Sequence, residues 1–221
     1  MTGSVPVAAA ALAGVPAGVQ AQGVWAGRRQ LFVRFAGEAE TATMYSSTAL
    51  VREIERQMGR SMFHSIAIGG RDPLANVPFL LAALGALKPS VPVMLDTDGQ
   101  RPSALGELVP QLALVQVTVE FTGPDATITH AVNTLGVAAK AKCAHAIVLC
   151  PRDDTSDAQL LRIIEQAHAV SPAVQVAVHP TAAAGEVAVL DRRWSTLLEQ
   201  AVTMHEDCRL VNRIPPPAGL R

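Results

Sequence analysis

The strongest constraint on this chain is a repeated exchange between two hydrophobic periods. Residues 31–36 (LFVRFA) have the pattern of a strand, and 48–58 carry apolar residues at helical spacing with charges between them. The exchange then recurs. Strand-like runs at 64–68, 91–95, 115–121, 144–149, 174–178 and 209–211 are separated by helical patterns at 77–87, 128–142, 157–170 and 187–204. Pro89 ends one helix, Ser156 or Asp157 caps another, and residues 96–99 (DTDG) close a strand in a turn. Strands alternating with long helices predict βαβ units and a mainly parallel α/β sheet. Crossover handedness leaves either an open doubly wound sheet or a barrel-like curved sheet with helices outside. In both, function belongs to the loops at the carboxyl ends of the strands, here after residues 36, 68, 95, 121, 150 and 178.

Composition narrows the reading. A chain of 221 residues with 49% hydrophobic and 17% charged residues can bury one sizeable core. No interior linker and no internal repeat divides it, so residues 19–221 are expected to form a single domain. A formal net charge of −1 with no block of like charges supplies no field for nucleic acid or anionic lipid, and neither is an expected partner. Residues 5–15 are small and apolar but lack a positive flank and are too short to span a bilayer. Residues 1–18 therefore read as a flexible Ala/Gly/Pro-rich tail, with no membrane insertion. The three cysteines, Cys143, Cys150 and Cys208, cannot build a disulfide framework, which points to a reducing, cytoplasmic setting.

The carboxyl-end loops hold several polar constellations. Alternation places Arg34 on the face opposite Val33 and Phe35, pointing into a barrel or cleft, where it needs a ligand oxyanion or an internal Asp or Glu as partner. Gly69-Gly70-Arg71-Asp72-Pro73-Leu74 is either a ligand-approaching loop or a plain turn. Asp96-Thr97-Asp98-Gly99 puts two carboxylates and a hydroxyl on the same rim, for a metal, a ribose or simply a turn with an Asx hydrogen bond. The six histidines show no metal-ligand spacing and read as single surface or core-edge residues. Nucleophile-elbow, Walker and dinucleotide motifs are lacking.

Several of these segments, in order, resemble the 7-carboxy-7-deazaguanine synthases, which are radical S-adenosylmethionine enzymes. Gln20-Ala21-Gln22-Gly23, Ala26-Gly27 and Phe32-Val33-Arg34-Phe35-Ala36-Gly37 are similar to the family's opening segment. Gly69-Gly70-Arg71-Asp72-Pro73-Leu74 resembles its methionine-binding loop, and Met94 through Gly99 its third strand end. Val178-His179-Pro180-Thr181 and the closing Arg209-Leu210-Val211 and Gly219-Leu220-Arg221 resemble later segments. The resemblance implies an incomplete (β/α) barrel of about six or seven mainly parallel strands, with a homodimer or larger assembly as its oligomeric form.

The family's cluster-binding cysteines are missing from the place the resemblance assigns them. Residues 37–48 contain none: Glu38 stands at the first thiolate, Thr43 or Ala42 at the middle one and Ser46 at the last, while Thr48 keeps a position that in the family contacts magnesium. Oxygen donors do not hold an iron–sulfur cluster, so no [4Fe–4S] cluster and no catalytic residues are expected. Gln22 or its neighbour replaces the substrate-binding acid, and Pro215 a C-terminal histidine. The expectation is a catalytically degenerate protein serving as a structural, assembly or regulatory subunit through protein contacts. The alternatives are a ligand-binding module that holds S-adenosylmethionine or a pterin-like molecule at Arg34, Gly69, Gly70, Asp72, Asp96 and Thr97, or an enzyme using Glu38, Glu40, Asp72, Asp96 and Asp98 around a hard cation.

Overall fold

The structure, a computed structural model, describes residues 8–121, 126–181, 190–214 and 219–220. In chain order the strands and helices are β1 (Ala9–Gly14), β2 (Ala17–Gln20), β3 (Arg29–Phe35), β4 (Thr43–Ser46), α1 (Ser47–Met58), β5 (Ser65–Gly70), α2 (Val77–Leu87), β6 (Val93–Thr97) and α3 (Pro102–Leu108). Then follow β7 (Leu114–Glu120), α4 (Ala126–Lys140), β8 (Ala144–Cys150), α5 (Asp157–Val170), β9 (Gln175–Val178), α6 (Arg192–Met204), β10 (Cys208–Leu210) and β11 (Gly219–Leu220).

Strands β3, β5, β6, β7, β8, β9 and β10 are parallel and lie side by side in chain order. That order never reverses, so there is no switch point, and the doubly wound alternative is excluded. Right-handed crossovers in one direction put every helix on one face of the sheet, which curls to cover its other face. The fold is an incomplete, TIM-like (β/α) barrel.

Alternation along the strands builds both faces. Leu31, Val33, Ile66, Ile68, Leu95, Val117 and Leu149 face outward and pack with Leu50, Leu80, Leu105, Leu135, Ile163 and Leu197 of the helical shell. The inward set is smaller and more polar. Phe32, Ala67, Met94 and Leu114 lie along one register line, and Val24 and Trp25, from the turn after β2, pack on them and fill the barrel from its amino-terminal end. Helix ends are fixed locally: the Ser46 hydroxyl accepts from the Ala49 N–H at the start of α1, and Asp191 accepts from the Arg193 N–H at the start of α6.

The ladder is not continuous around the barrel. Past β10, Val211 N–H still bonds back to the Val178 carbonyl of β9 (3.0 Å), and toward β2 the described bond is Ile214 N–H to the Ala21 carbonyl (2.9 Å). β11 then adds to β2 in parallel.

Two expectations require correction. The flexible tail gives way from Ala9 onward to β1 and β2, which pair antiparallel with β3; residues 1–7 lie outside the described residues. Ala10 and Leu12 are buried, because without β1 and β2 that edge of β3 would be unpaired. The helix expected over 187–204 starts at Arg192, with 187–189 outside the described residues, as Pro215 also is. α3 was absent from the sequence reading; it is a seven-residue helix with Pro102 at its start and Leu105 and Leu108 buried. Among the described residues, no helix is long and apolar enough to cross a membrane.

Candidate functional site

A cleft of about 590 Å³ opens at the carboxyl ends of the parallel strands. β3 and the turn after it contribute Arg34, Gly37 and Glu40; the β5 loop adds Gly70, Arg71 and Asp72. Asp96, Thr97 and Asp98 come from the end of β6, Thr118 and Glu120 from β7, and Arg213 from the segment that closes the barrel.

Three guanidinium groups at this rim, those of Arg34, Arg71 and Arg101, are met by carboxylates of the chain itself. Arg34 Nη2 donates to Glu40 Oε1 at 2.8 Å, so the partner demanded by the sequence is an internal Glu. Glu40 is held from a tight turn, its other oxygen accepting from the Gly37 N–H at 2.9 Å. That backbone bond, followed by Arg34, holds the Glu40 carboxyl below the usual carboxylate range. Arg71 pairs with Glu38 at 3.3 Å, and Arg101 donates to both oxygens of Asp72. Asp72 itself takes a left-handed backbone (φ 43°), turning the chain from Gly70 toward α2. Gly70 has φ +90°, and a β-carbon there would collide with the Phe35 carbonyl oxygen; only glycine fits.

A hydrogen-bonded line runs beneath the cleft. Thr118 Oγ1 donates to Asp96 Oδ1 at 2.7 Å and accepts from Gln22 Nε2 at 3.3 Å, and Cys150 Sγ donates to Gln22 Oε1 at 3.9 Å. Asp96 is only 5% exposed, so its carboxylate is presented from a buried floor and oriented by Thr118. Deeper still, His179 Nε2 accepts from the Gly23 N–H at 2.9 Å, which puts the ring proton on Nδ1. Burial, with Arg213 adding to it, pushes the His179 pKa down to about 4, so the ring is neutral. Gly23 approaches so closely that a β-carbon would overlap the Gln116 amide.

The sequence-derived site is thus only partly assembled. Arg34, Gly70, Asp72, Asp96 and Thr97 line the cleft, and Gly69 packs against Asp96. The loop compared with a cluster site does not converge. Thr43 and Ser46 belong to β4, antiparallel to β1; Ser46 caps α1, Thr48 is exposed on that helix, and Glu38 is engaged by Arg71. The turn expected at 96–99 forms, with the Gln100 N–H donating to Asp98 Oδ1 and the Gly99 N–H to Thr97 Oγ1. Among the described residues, no three His, Cys, Asp or Glu side chains come together to hold a metal ion.

Several contributors escaped the sequence, Arg101 and Arg213 among them. Gln116, Thr118 and Glu120 read as the wet face of a half-buried strand, yet that face is the barrel interior, where Gln116 and Thr118 are buried. His179 is fully buried, not a surface or core-edge histidine. Its one signal was its position directly after β9, at the carboxyl end of a strand.

No protein-family model and no curated protein matches the chain. Among solved structures, one similar chain is a type I 3-dehydroquinate dehydratase from Clostridium difficile with covalent modified comenic acid, 12% identical over 75% of this chain and 70% of that one, with a TM-score of 0.44. The resemblance to radical S-adenosylmethionine enzymes is therefore corrected: no family model and no curated protein of that family matches the chain. The local geometry agrees, since the segment 43–48 is a strand and a helix start.

Proposed function

We propose that the cleft at the carboxyl ends of the strands binds a small polar molecule rich in hydrogen-bond donors, hydroxyl or ammonium groups, and that the protein acts as a binding module. The observation that carries this is the pairing of three arginines at the rim: Arg34, Arg71 and Arg101 are each engaged by a carboxylate of the chain. The lining then holds Glu40, Asp72, Asp96, Asp98 and Glu120 against Arg34, Arg71 and Arg213, an excess of negative charge over a floor of Asp96 and Thr118. Such a lining favours neutral or cationic donors over anions. Cys143, Cys150 and Cys208 form no disulfide, which suits a reducing compartment.

Thermal-shift and calorimetric titration with small polyols, monosaccharides and amines tests the reading. A ligand at a hundred times its Kd adds about 2.7 kcal/mol of stability, and Asp96→Asn should abolish the effect. No shift with any of these probes, or an undiminished shift in Asp96→Asn, would overturn it.

A second reading, a subunit acting through protein contacts, has one observation in its favour. Among the described residues β4 ends the sheet, and its Met44 is 67% exposed. Light scattering of wild type and Met44→Glu tests this; one identical monomeric mass for both would count against it.

A further inference from the structure

We propose that Glu40 is a tethered counter-ligand: it occupies the oxyanion seat of Arg34 and thereby excludes free carboxylates and phosphates from the cleft, making Glu40 the residue that sets the charge specificity of the site. The proposal rests on the reading of the cleft as a ligand site.

Three features of the geometry carry it. Arg34 lies on β3 among the lining residues, so its guanidinium faces the space a ligand would occupy. Glu40 engages that guanidinium with one oxygen only, on Nη2 at 2.8 Å, because its second oxygen is committed to the Gly37 N–H. Arg34 Nε is consequently buried with no hydrogen-bond partner. A guanidinium presents a fork that a free carboxylate or phosphate fills with two parallel bonds, so the seat is intrinsically better matched by a free oxyanion than by Glu40.

The tether reverses that preference. Glu40 follows Arg34 by six residues, and its own N–H donates to the Gly37 carbonyl at 3.1 Å, closing the turn. A short link of this kind presents the carboxylate at an effective concentration of about millimolar or more, which a dilute anion cannot match with one extra bond. The lowered Glu40 pKa keeps the counter-ligand ionised through the neutral range. Repulsion from Asp96, Asp98 and Glu120 on the same lining acts in the same direction.

The test is isothermal titration of the full chain with inorganic phosphate and with malonate at constant ionic strength. Wild type, Glu40→Gln, Glu40→Ala and the double variant Glu40→Gln/Arg34→Gln are compared, each first shown to be folded by its circular dichroism and melting. The expected result is at least an about ten-fold tighter Kd for one or both anions in the Glu40 variants, lost again in the double variant. Phosphate and malonate separate the two oxyanion shapes. An unchanged anion affinity in both Glu40 variants, or a gain that persists without Arg34, overturns the proposal. Wild type titrated in parallel with the polyols and amines keeps the two readings apart. A wild type that binds those donors while Glu40 variants gain no anion affinity sinks only the counter-ligand; anion binding in the variants without donor binding in wild type sinks only the donor ligand.

Discussion

His179 makes the stability of this barrel depend on pH in a way that can be worked through. The ring is fully buried, neutral, and accepts the Gly23 N–H at the seam between the turn after β2 and the end of β9. Its pKa falls from 6.5 to about 4 on folding. A depressed folded pKa means that, between those values, the unfolded chain binds a proton that the native chain refuses. His179 therefore contributes nothing adverse above pH 6.5, and stability is lost progressively as pH falls from about 6.5 to about 4. A difference of about 2.5 pKa units at 1.36 kcal/mol each sets the loss at about 3 kcal/mol. Urea unfolding at pH 7.5, 6.5, 5.5 and 4.5 measures it, with His179→Gln as the reference. A glutamine oxygen can accept the same N–H without titrating, so the variant should keep only the contributions of the carboxylates and of His64, whose pKa burial and Arg28 also lower. If wild type and His179→Gln lose stability in parallel across that window, the buried neutral imidazole is not where this reasoning puts it.

Two further outcomes follow from the cleft. Thr118→Val preserves shape but deletes the donor to Asp96 and the acceptor for Gln22 in a buried setting; a destabilisation of about 2–4 kcal/mol in urea is expected, together with weaker binding of any ligand that needs Asp96. Gly70→Ala should cost at least about 2 kcal/mol, since the new β-carbon meets the Phe35 carbonyl at a positive φ, and a melting temperature equal to wild type would show that β3 and β5 can separate there.

The parallel framework was legible because its signals are local. Each of the seven strands read from the sequence coincides with one of β3, β5, β6, β7, β8, β9 and β10, and α2 and α5 have the bounds their apolar spacing suggests. What failed was everything whose structure is imposed from elsewhere. β1 and β2 are small-residue segments without a strong period, and they are strands because β3 offers an unpaired edge. α3 is too short for its periodicity to stand out, and it is fixed by burying Leu105 and Leu108.

The site failed in a more instructive way. Alternation of apolar and polar residues in β7 fixes which side chains share a face, but not whether the polar face meets water or the inside of a barrel. Arg34 was placed in the cleft because a charge flanked by Val33 and Phe35 in a strand demands a partner; Thr118 and Gln116 carry no charge and made no such demand. The same limit explains the mistaken family resemblance. Short glycine-rich and acidic motifs in the right order describe a strand-loop-helix rhythm that many (β/α) barrels share, and the rhythm is what this chain has. Residues 43–46 of the segment compared with a cluster loop form a strand, and Ser46 caps a helix, because β1 pairs with them, Ala9 opposite Ser46 and Leu12 opposite Thr43. Order in the sequence reports elements, whereas chemistry depends on which elements pair, and only the paired structure shows Glu40 closing on Arg34.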